Sequence, residues 1–147
     1  MAAVGERVDP FPAFNFLIDI DDTPVAGFTE VGGLTAESDV VEYREGDDPA
    51  TPGKLPGLRK YGNITLKRGE TDSLVLYEWR KTTEDGATER RDGSIVLLNE
   101  SREPVLRWSF INAWISKYEG PALNSGTSAV AIESMELAHE GLRLERP

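Results

Sequence analysis

The sequence predicts a single, mainly β domain carrying one helix. Three observations predict it. Apolar and polar residues alternate with period two through several segments, the clearest at residues 14–20, 61–68 and 105–115. Only residues 72–83 repeat with a helical period. Between these segments stand clusters of glycine, proline and charged residues that break regular structure. At 147 residues the chain has the length of one domain, and enough of it to bury a core without disulfides or metals.

Taken in order, Phe14, Phe16, Ile18 and Ile20 alternate with Asn15, Leu17 and Asp19, giving a strand with one strongly apolar face. Asp21-Asp22-Thr23-Pro24 is turn chemistry. A second strand is expected around 27–31, closed by a bulge or bend at Gly32-Gly33. Val41 and Tyr43 then alternate with Glu42 and Arg44. Residues 46–60 (GDDPATPGKLPGLRK) hold three prolines and three glycines in fifteen positions, so an extended loop is expected there rather than a ladder. A loop that long inside a compact domain is usually functional, which makes it a candidate contact element.

Strand character resumes at 61–68, with Ile64 and Leu66 on one face and Asn63, Thr65 and Lys67 on the other; Gly69 ends it. In the helix expected at 72–83, Val75, Leu76 and Trp79 form the apolar stripe. Thr71 or Asp72 is placed to cap it, and Arg80 and Lys81 sit where the helix dipole favours cations. Residues 84–93 read as a charged turn and 94–98 as a short strand. The segment 105–115 is the longest strand, placing Leu106, Trp108, Phe110 and Trp114 on one face. The last strand, at 128–140, alternates imperfectly. Ala131, Met135 and Leu137 share a face with Glu133 and His139, while Val130 and Ile132 lie opposite. A strand that changes its apolar side midway passes between two environments. The total is about seven strands and one helix.

Charge and composition exclude several classes of function. The net charge is −10, and residues 18–48 hold ten acids against the single base Arg44. Nucleic-acid binders present the opposite field, so a tightly held nucleic acid is not expected. There is no cysteine and only one histidine, His139, which removes thiolate chemistry and His-rich metal sites. Asp19, Asp21 and Asp22 lack the spacing of a calcium loop, and Gly32-Gly33 lacks the helix and Lys-Ser/Thr of a phosphate loop. Glu133 and Glu136 alternate to opposite strand faces and make no acid/base pair. His139 reads as exposed or partner-facing. No catalytic, metal or cofactor residues are therefore expected, and the chain is expected not to be an enzyme. The N-terminal MAAVGERVDPF lacks a signal-peptide core and no apolar run approaches a membrane span, so synthesis and assembly in the cytoplasm, with no membrane anchor, are expected.

An ordered set of segments carries a resemblance. FNFLIDI (14–20), GFTEVGGL (27–34), VVEYREG (40–46), KLPGLRKYGNITLKRG (54–69), LYEWRK (76–81), WSFINAWISKYEGPAL (108–123) and AVAIESMELAHEGL (129–142), in this order and spacing, resemble the tail-tube proteins of contractile phages and of phage-derived contractile injection systems. The chain resembles the haemolysin-coregulated tube protein of type VI secretion more distantly, and that resemblance implies the same architecture. The resemblance implies two packed β-sheets with one flanking helix, six copies closing into a ring with a continuous inner β-barrel, and rings stacking into a hollow rigid tube. It also implies self-association, a contractile sheath, baseplate and tube-initiating or tube-terminating proteins as partners. The lumen cargo is then a protein effector, or DNA in a phage, and the particle a phage tail or a tail-like particle released from the cell.

Within that frame, Glu42, Arg44, Asn63, Thr65 and Lys67 are expected to line the lumen, where a polar wall lets cargo slide and a net-acidic bore repels a DNA backbone. The arm at 1–13 and the loop at 46–60, with Asp47, Asp48, Pro49, Lys54, Leu55 and Pro56, are expected to make ring-to-ring contacts. The competing reading is a monomeric β-sandwich that binds glycans through Trp108 and Trp114, and it requires those rings to be exposed.

Overall fold

The computed structural model describes residues 9–47 and 50–147. Ten strands and one helix follow the chain: β1 (Phe16–Ile20), β2 (Thr23–Val25), β3 (Phe28–Gly32), β4 (Glu37–Tyr43), β5 (Gly53–Lys60), β6 (Ile64–Gly69), α1 (Val75–Glu84), β7 (Arg91–Leu98), β8 (Pro104–Glu119), β9 (Ile132–Ala138) and β10 (Gly141–Glu145). Eight strands form one continuous antiparallel sheet that doubles over on β8. The first half of β8 lies between β7 and β10, and its second half pairs with β9. This gives a first layer ordered β2-β1-β7-β8-β10 and a second ordered β3-β6-β9-β8. The layers pack through Ile18, Ile20, Ile95 and Phe110 on one side and Ile64, Leu66, Ile115, Met135 and Leu137 on the other. Leu76 and Trp79 of α1 join the same core.

The doubling depends on a bulge in β8. Arg91 faces Ala113 while Gly93 faces Phe110, so Ile111 and Asn112 together oppose Asp92. Asn112 takes a left-handed backbone (φ 52°), which asparagine tolerates better than other residues with a Cβ. Its N–H donates to Asp92 Oδ1 at 2.9 Å, and its side-chain amide donates to Glu140 Oε2 at 2.9 Å. The extra residue moves the buried face from Phe110 to Ala113 and Ile115. Trp114, expected beside Phe110, therefore points away from the core. A second bulge between Ile115 and Lys117 shifts the face again and turns Tyr118 inward. Opposite the first bulge the chain breaks at His139–Glu140: of the strand expected at 128–140 only Ile132–Ala138 forms, as β9, and β10, which lies beyond the expected strand, joins the other layer.

Three local expectations are corrected. Residues 53–60 form β5 despite Pro56 and two glycines, because β5 pairs only with β4 and bulges beside Pro56: Ser38 faces Arg59, but Val40 faces Pro56. The helix begins at Val75 with Leu74 as an N-cap that makes no side-chain bond, because Thr71 Oγ1 instead accepts the Ser73 N–H at 3.2 Å in the preceding turn. Val75 is exposed, so only Leu76 and Trp79 of the expected stripe are buried. The turn at Asp21-Asp22 is as expected, with both residues at positive φ in a two-residue hairpin between β1 and β2. Gly33, also at positive φ, lets the chain pass against the Asn63 carbonyl, where any Cβ would collide.

Asn112→Gly keeps the left-handed backbone and loses one exposed amide bond, so it should lower stability only slightly. Asn112→Val puts a β-branched side chain there and should cost about 1–2 kcal/mol or more. Urea melts of the two variants check this, and equal losses would refute the role given to the bulge.

Candidate assembly surfaces

Two surfaces stand out once the core is accounted for. The first is the β4–β5 hairpin, a separate two-stranded sheet with no strand partner outside itself among the described residues. Val41 faces Leu55 across it, Glu42 faces Lys54, and Lys60 pairs with Asp39 at 2.8 Å. Both of its faces are open: Val40, Val41, Tyr43 and Leu55 are all exposed, and Leu58 is 76% exposed. Isolated hairpins are marginal in water, and an apolar one without cover is a docking element in want of a partner. Its exit is fastened to the body, since the Gly62 N–H donates to Thr35 Oγ1 at 3.1 Å. His139, expected to be exposed or partner-facing, is half-buried at the same corner and stacks at a tilt on Tyr61. Its ring nitrogens lie 3.1 Å from the Gly141 carbonyl and 3.0 Å from that of Gly62, tying the break between β9 and β10 to the hairpin root.

The second surface is the outer face of the second layer. Cross-strand neighbours there run Glu30–Lys67–Ser134–Glu119 in one row and Gly32–Thr65–Glu136–Lys117 in the next. Lys67 pairs with Glu30 at 3.3 Å, and Ser134 Oγ lies 3.4 Å from Glu119 Oε2. No aliphatic side chain interrupts these rows.

Beneath this face lies a polar cluster that the alternation pattern disguised. Arg68 and Glu133 are each 2% exposed. Arg68 follows Ile64 and Leu66 at inward positions of β6, and Glu133 precedes Met135 and Leu137 at inward positions of β9. The apparent fault in the last strand is thus a regular strand with a carboxylate in the core. Glu133 Oε1 accepts from Arg68 Nε at 2.8 Å and Nη2 at 2.7 Å, and Oε2 accepts from the Tyr118 hydroxyl at 2.6 Å. Arg68 also donates to the Ser73 carbonyl at 3.3 Å, in the turn that leads into α1. Burial, then the bond to Glu133 and its charge, hold the Tyr118 phenol well above its usual range. An arginine and a glutamate on the inward phase of two neighbouring strands was the available signal.

The structure separates the expected lumen residues. Thr65 and Lys67 sit on the outer face of the second layer, with Asn63 exposed just ahead of them, while Glu42 lies in the hairpin and Arg44 just beyond β4. Of the expected inter-ring residues, Lys54, Leu55 and Pro56 lie in β5 and Asp47 in the turn that follows β4; Asp48 and Pro49 fall outside the described residues, as do residues 1–8 of the arm. Trp108 packs against the core and Trp114 faces away from it, both partly buried, so they form no shared aromatic platform.

Among the described residues, the doubled sheet keeps open edges and an exposed apolar hairpin beside it. The chain is a member of the T4-like virus tail tube protein gp19 family, whose model matches residues 12–143. It is similar to a chain of the sheath–tube complex of an extracellular contractile injection system (PVC) in its extended state, at 25% identity and a TM-score of 0.85 over 94% of this chain and 93% of that one. It is similar over the whole of both chains to one in the cap of the anti-feeding prophage, at 27% identity and a TM-score of 0.86. Hcp1 from Flavobacterium johnsoniae shares the fold at 18% identity and a TM-score of 0.57, over 90% of this chain and 95% of that one. No curated protein sequence matches. The chain is a structural subunit of an inner tube, a component of a phage tail or of an extracellular contractile injection particle.

Glu133→Gln leaves the Arg68 charge buried without a counterion and should cost about 3–5 kcal/mol in urea melts. The Tyr118 phenol is raised above its unfolded value of about 10, so the stability it confers is complete below that pH and is lost as pH climbs past it. The wild type should therefore lose Tm above about pH 10 more steeply than Tyr118→Phe. Lys60, raised chiefly by its hydrogen bond to Asp39, titrates in both proteins and cancels in the comparison. Parallel curves would remove the assignment.

Proposed function

We propose that six copies close into a ring, that rings stack into a rigid hollow tube, and that a contracting sheath drives the tube through a target envelope. The observation that supports this reading is a largely polar outer sheet face, with edges that no strand covers among the described residues, beside an exposed apolar hairpin in a member of a tail tube family. The polar face with Thr65, Lys67, Lys117, Glu119, Ser134 and Glu136 is the lumen wall, with Asn63 at its margin. A wall of cross-paired charges offers cargo neither an apolar surface to stick to nor a large field of one sign. The hairpin, with Asp47, Lys54, Leu55 and Pro56, makes the contact to the neighbouring ring, and Glu42 and Arg44 belong to that contact. Sheath, baseplate and terminator proteins are the partners; similar chains occur in structures of a sheath–tube complex, a baseplate and a tube-terminating cap. Cargo is a protein effector, or DNA in a phage, and the subunit is made in the cytoplasm and performs no catalysis.

Negative-stain electron microscopy of the purified protein across a concentration series tests this directly. Hollow six-membered rings or stacked tubes are expected at high concentration; a monomer that stays monomeric even with a tube initiator added overturns the reading. The double variant Val41→Asp/Leu58→Asp should keep the wild-type circular dichroism and Tm within a few degrees, because neither side chain reaches the core, yet form no tubes.

A further inference from the structure

We propose that His139 is a proton-operated clasp on the β4–β5 hairpin. With a proton on both ring nitrogens it ties the hairpin root to the corner between β9 and β10, and on losing one it lets the root go. The clasp is a property of the single subunit. Its consequence for assembly rests on the reading of the hairpin as the contact to the neighbouring ring.

The two partners of the ring set its protonation. His139 Nδ1 lies 3.1 Å from the Gly141 carbonyl oxygen, and Nε2 lies 3.0 Å from that of Gly62. A carbonyl oxygen can only accept. A neutral imidazole carries one N–H, so it serves one of these oxygens and turns the lone pair of its other nitrogen toward the second. The imidazolium donates to both, and bonds from a charged donor are the stronger kind. Histidine is also the side chain whose charge ordinarily changes between about pH 5 and 8. Closing the clasp therefore takes up a proton, and acid favours it.

The other groups around the ring do not reverse this. Glu140 follows His139 in the chain and favours a cation, although Arg90 already pairs with it at 3.4 Å. Arg59 from β5 and Arg143 from β10 line the same concavity and oppose a cation, while β8 contributes the uncharged Ser109 and Ile111. Both arginines and Glu140 are exposed, where water and salt screen them. Tyr61 presents its ring 5.6 Å away between centroids, and an aromatic face attracts a cation.

Gly62 is where a lost bond is felt. β4 and β5 pair with no other strand among the described residues, so the stance of the hairpin is set at its root. There the Gly62 N–H donates to Thr35, just ahead of β4, and the Gly62 carbonyl reaches His139 on the doubled sheet. One peptide unit thus joins both legs of the hairpin to the body. A hairpin already fixed in stance loses less freedom on docking, so the protonated subunit assembles at lower concentration.

His139 is the sole histidine, so its ring signals in an NMR titration are unambiguous. In dilute, unassembled wild-type protein, the heteronuclear NOE of the β4 and β5 amides should rise as the ring gains its second proton. A hairpin equally mobile at both ends of that titration would overturn the clasp. His139→Phe keeps a ring against Tyr61 and loses both bonds. Wild type should form tubes at about tenfold lower concentration at pH 6 than at pH 8, and His139→Phe at the same concentration at both. Equal pH dependence in the two proteins would overturn the effect on assembly. A wild type that forms no rings at any pH would sink the ring reading, and the NMR titration then decides the clasp by itself. The same titration decides should His139→Phe not fold.

Discussion

One strand serves two layers, and most of the molecule follows from how it does so. A β-strand has a side-chain period of two, so a strand passing from one sheet to another must change which residues face the core. Here β8 does it by spending one extra residue at Ile111-Asn112, held by Asp92 and Glu140. The same step carries β8 away from β7 and β10. The edge of β8 beyond Ala113, which no strand covers among the described residues, is therefore a by-product of the crossing.

The buried Arg68–Glu133–Tyr118 cluster sits where that arrangement is most exposed to error. A one-residue slip in this layer would exchange its largely polar outer face for its apolar inner one. Burying an ion pair is a costly way to add stability, and apolar side chains of similar size commonly do as well. Its value here is discrimination. Arg68 on β6, Glu133 on β9 and Tyr118 on β8 meet in only one register, and any other leaves a charge in the core.

Much of the sheet core was legible in the sequence because period-two alternation survives wherever a strand is regular: Ile18 and Ile20, Ile64 and Leu66, Phe110. The lapses have physical causes. A bulge inserts a residue without marking it in composition, so Trp114 was placed on the wrong face. Glu133 looked like a fault in its strand, and Arg68 was given no face, because alternation by polarity cannot represent a paired charge. The hairpin strand β5 was hidden by Pro56, which an isolated pair with a bulge accommodates and an interior strand would not. The helix was located by Leu76 and Trp79, but its start was not, because the Thr71 hydroxyl is spent on the turn ahead of it. Of the assembly surfaces, the polar phase of Thr65 and Lys67 was readable from the sequence. Its continuation through Lys117, Glu119, Ser134 and Glu136 required the sheet order.

The distribution of charge bears on what such a wall is for. The chain carries −10 overall, yet the polar face of the second layer holds three carboxylates (Glu30, Glu119, Glu136) against two ammonium groups (Lys67, Lys117). Most of the excess acid therefore lies elsewhere, including the concavity formed by Asp19, Asp21, Asp22, Asp92 and Glu145 on the first layer. If acidity served chiefly to repel a polyanion from the bore, it would be concentrated on the face assigned to the bore. Alternating charge has a different effect. Opposite signs about 5 Å apart on adjacent strands cancel within roughly a Debye length of 8 Å, so a passing surface of either sign meets little net attraction. A near-neutral, hydrated wall suits a conduit that must release whatever it carries, and the acidic groups on the remaining surface are left to keep the unassembled subunit soluble.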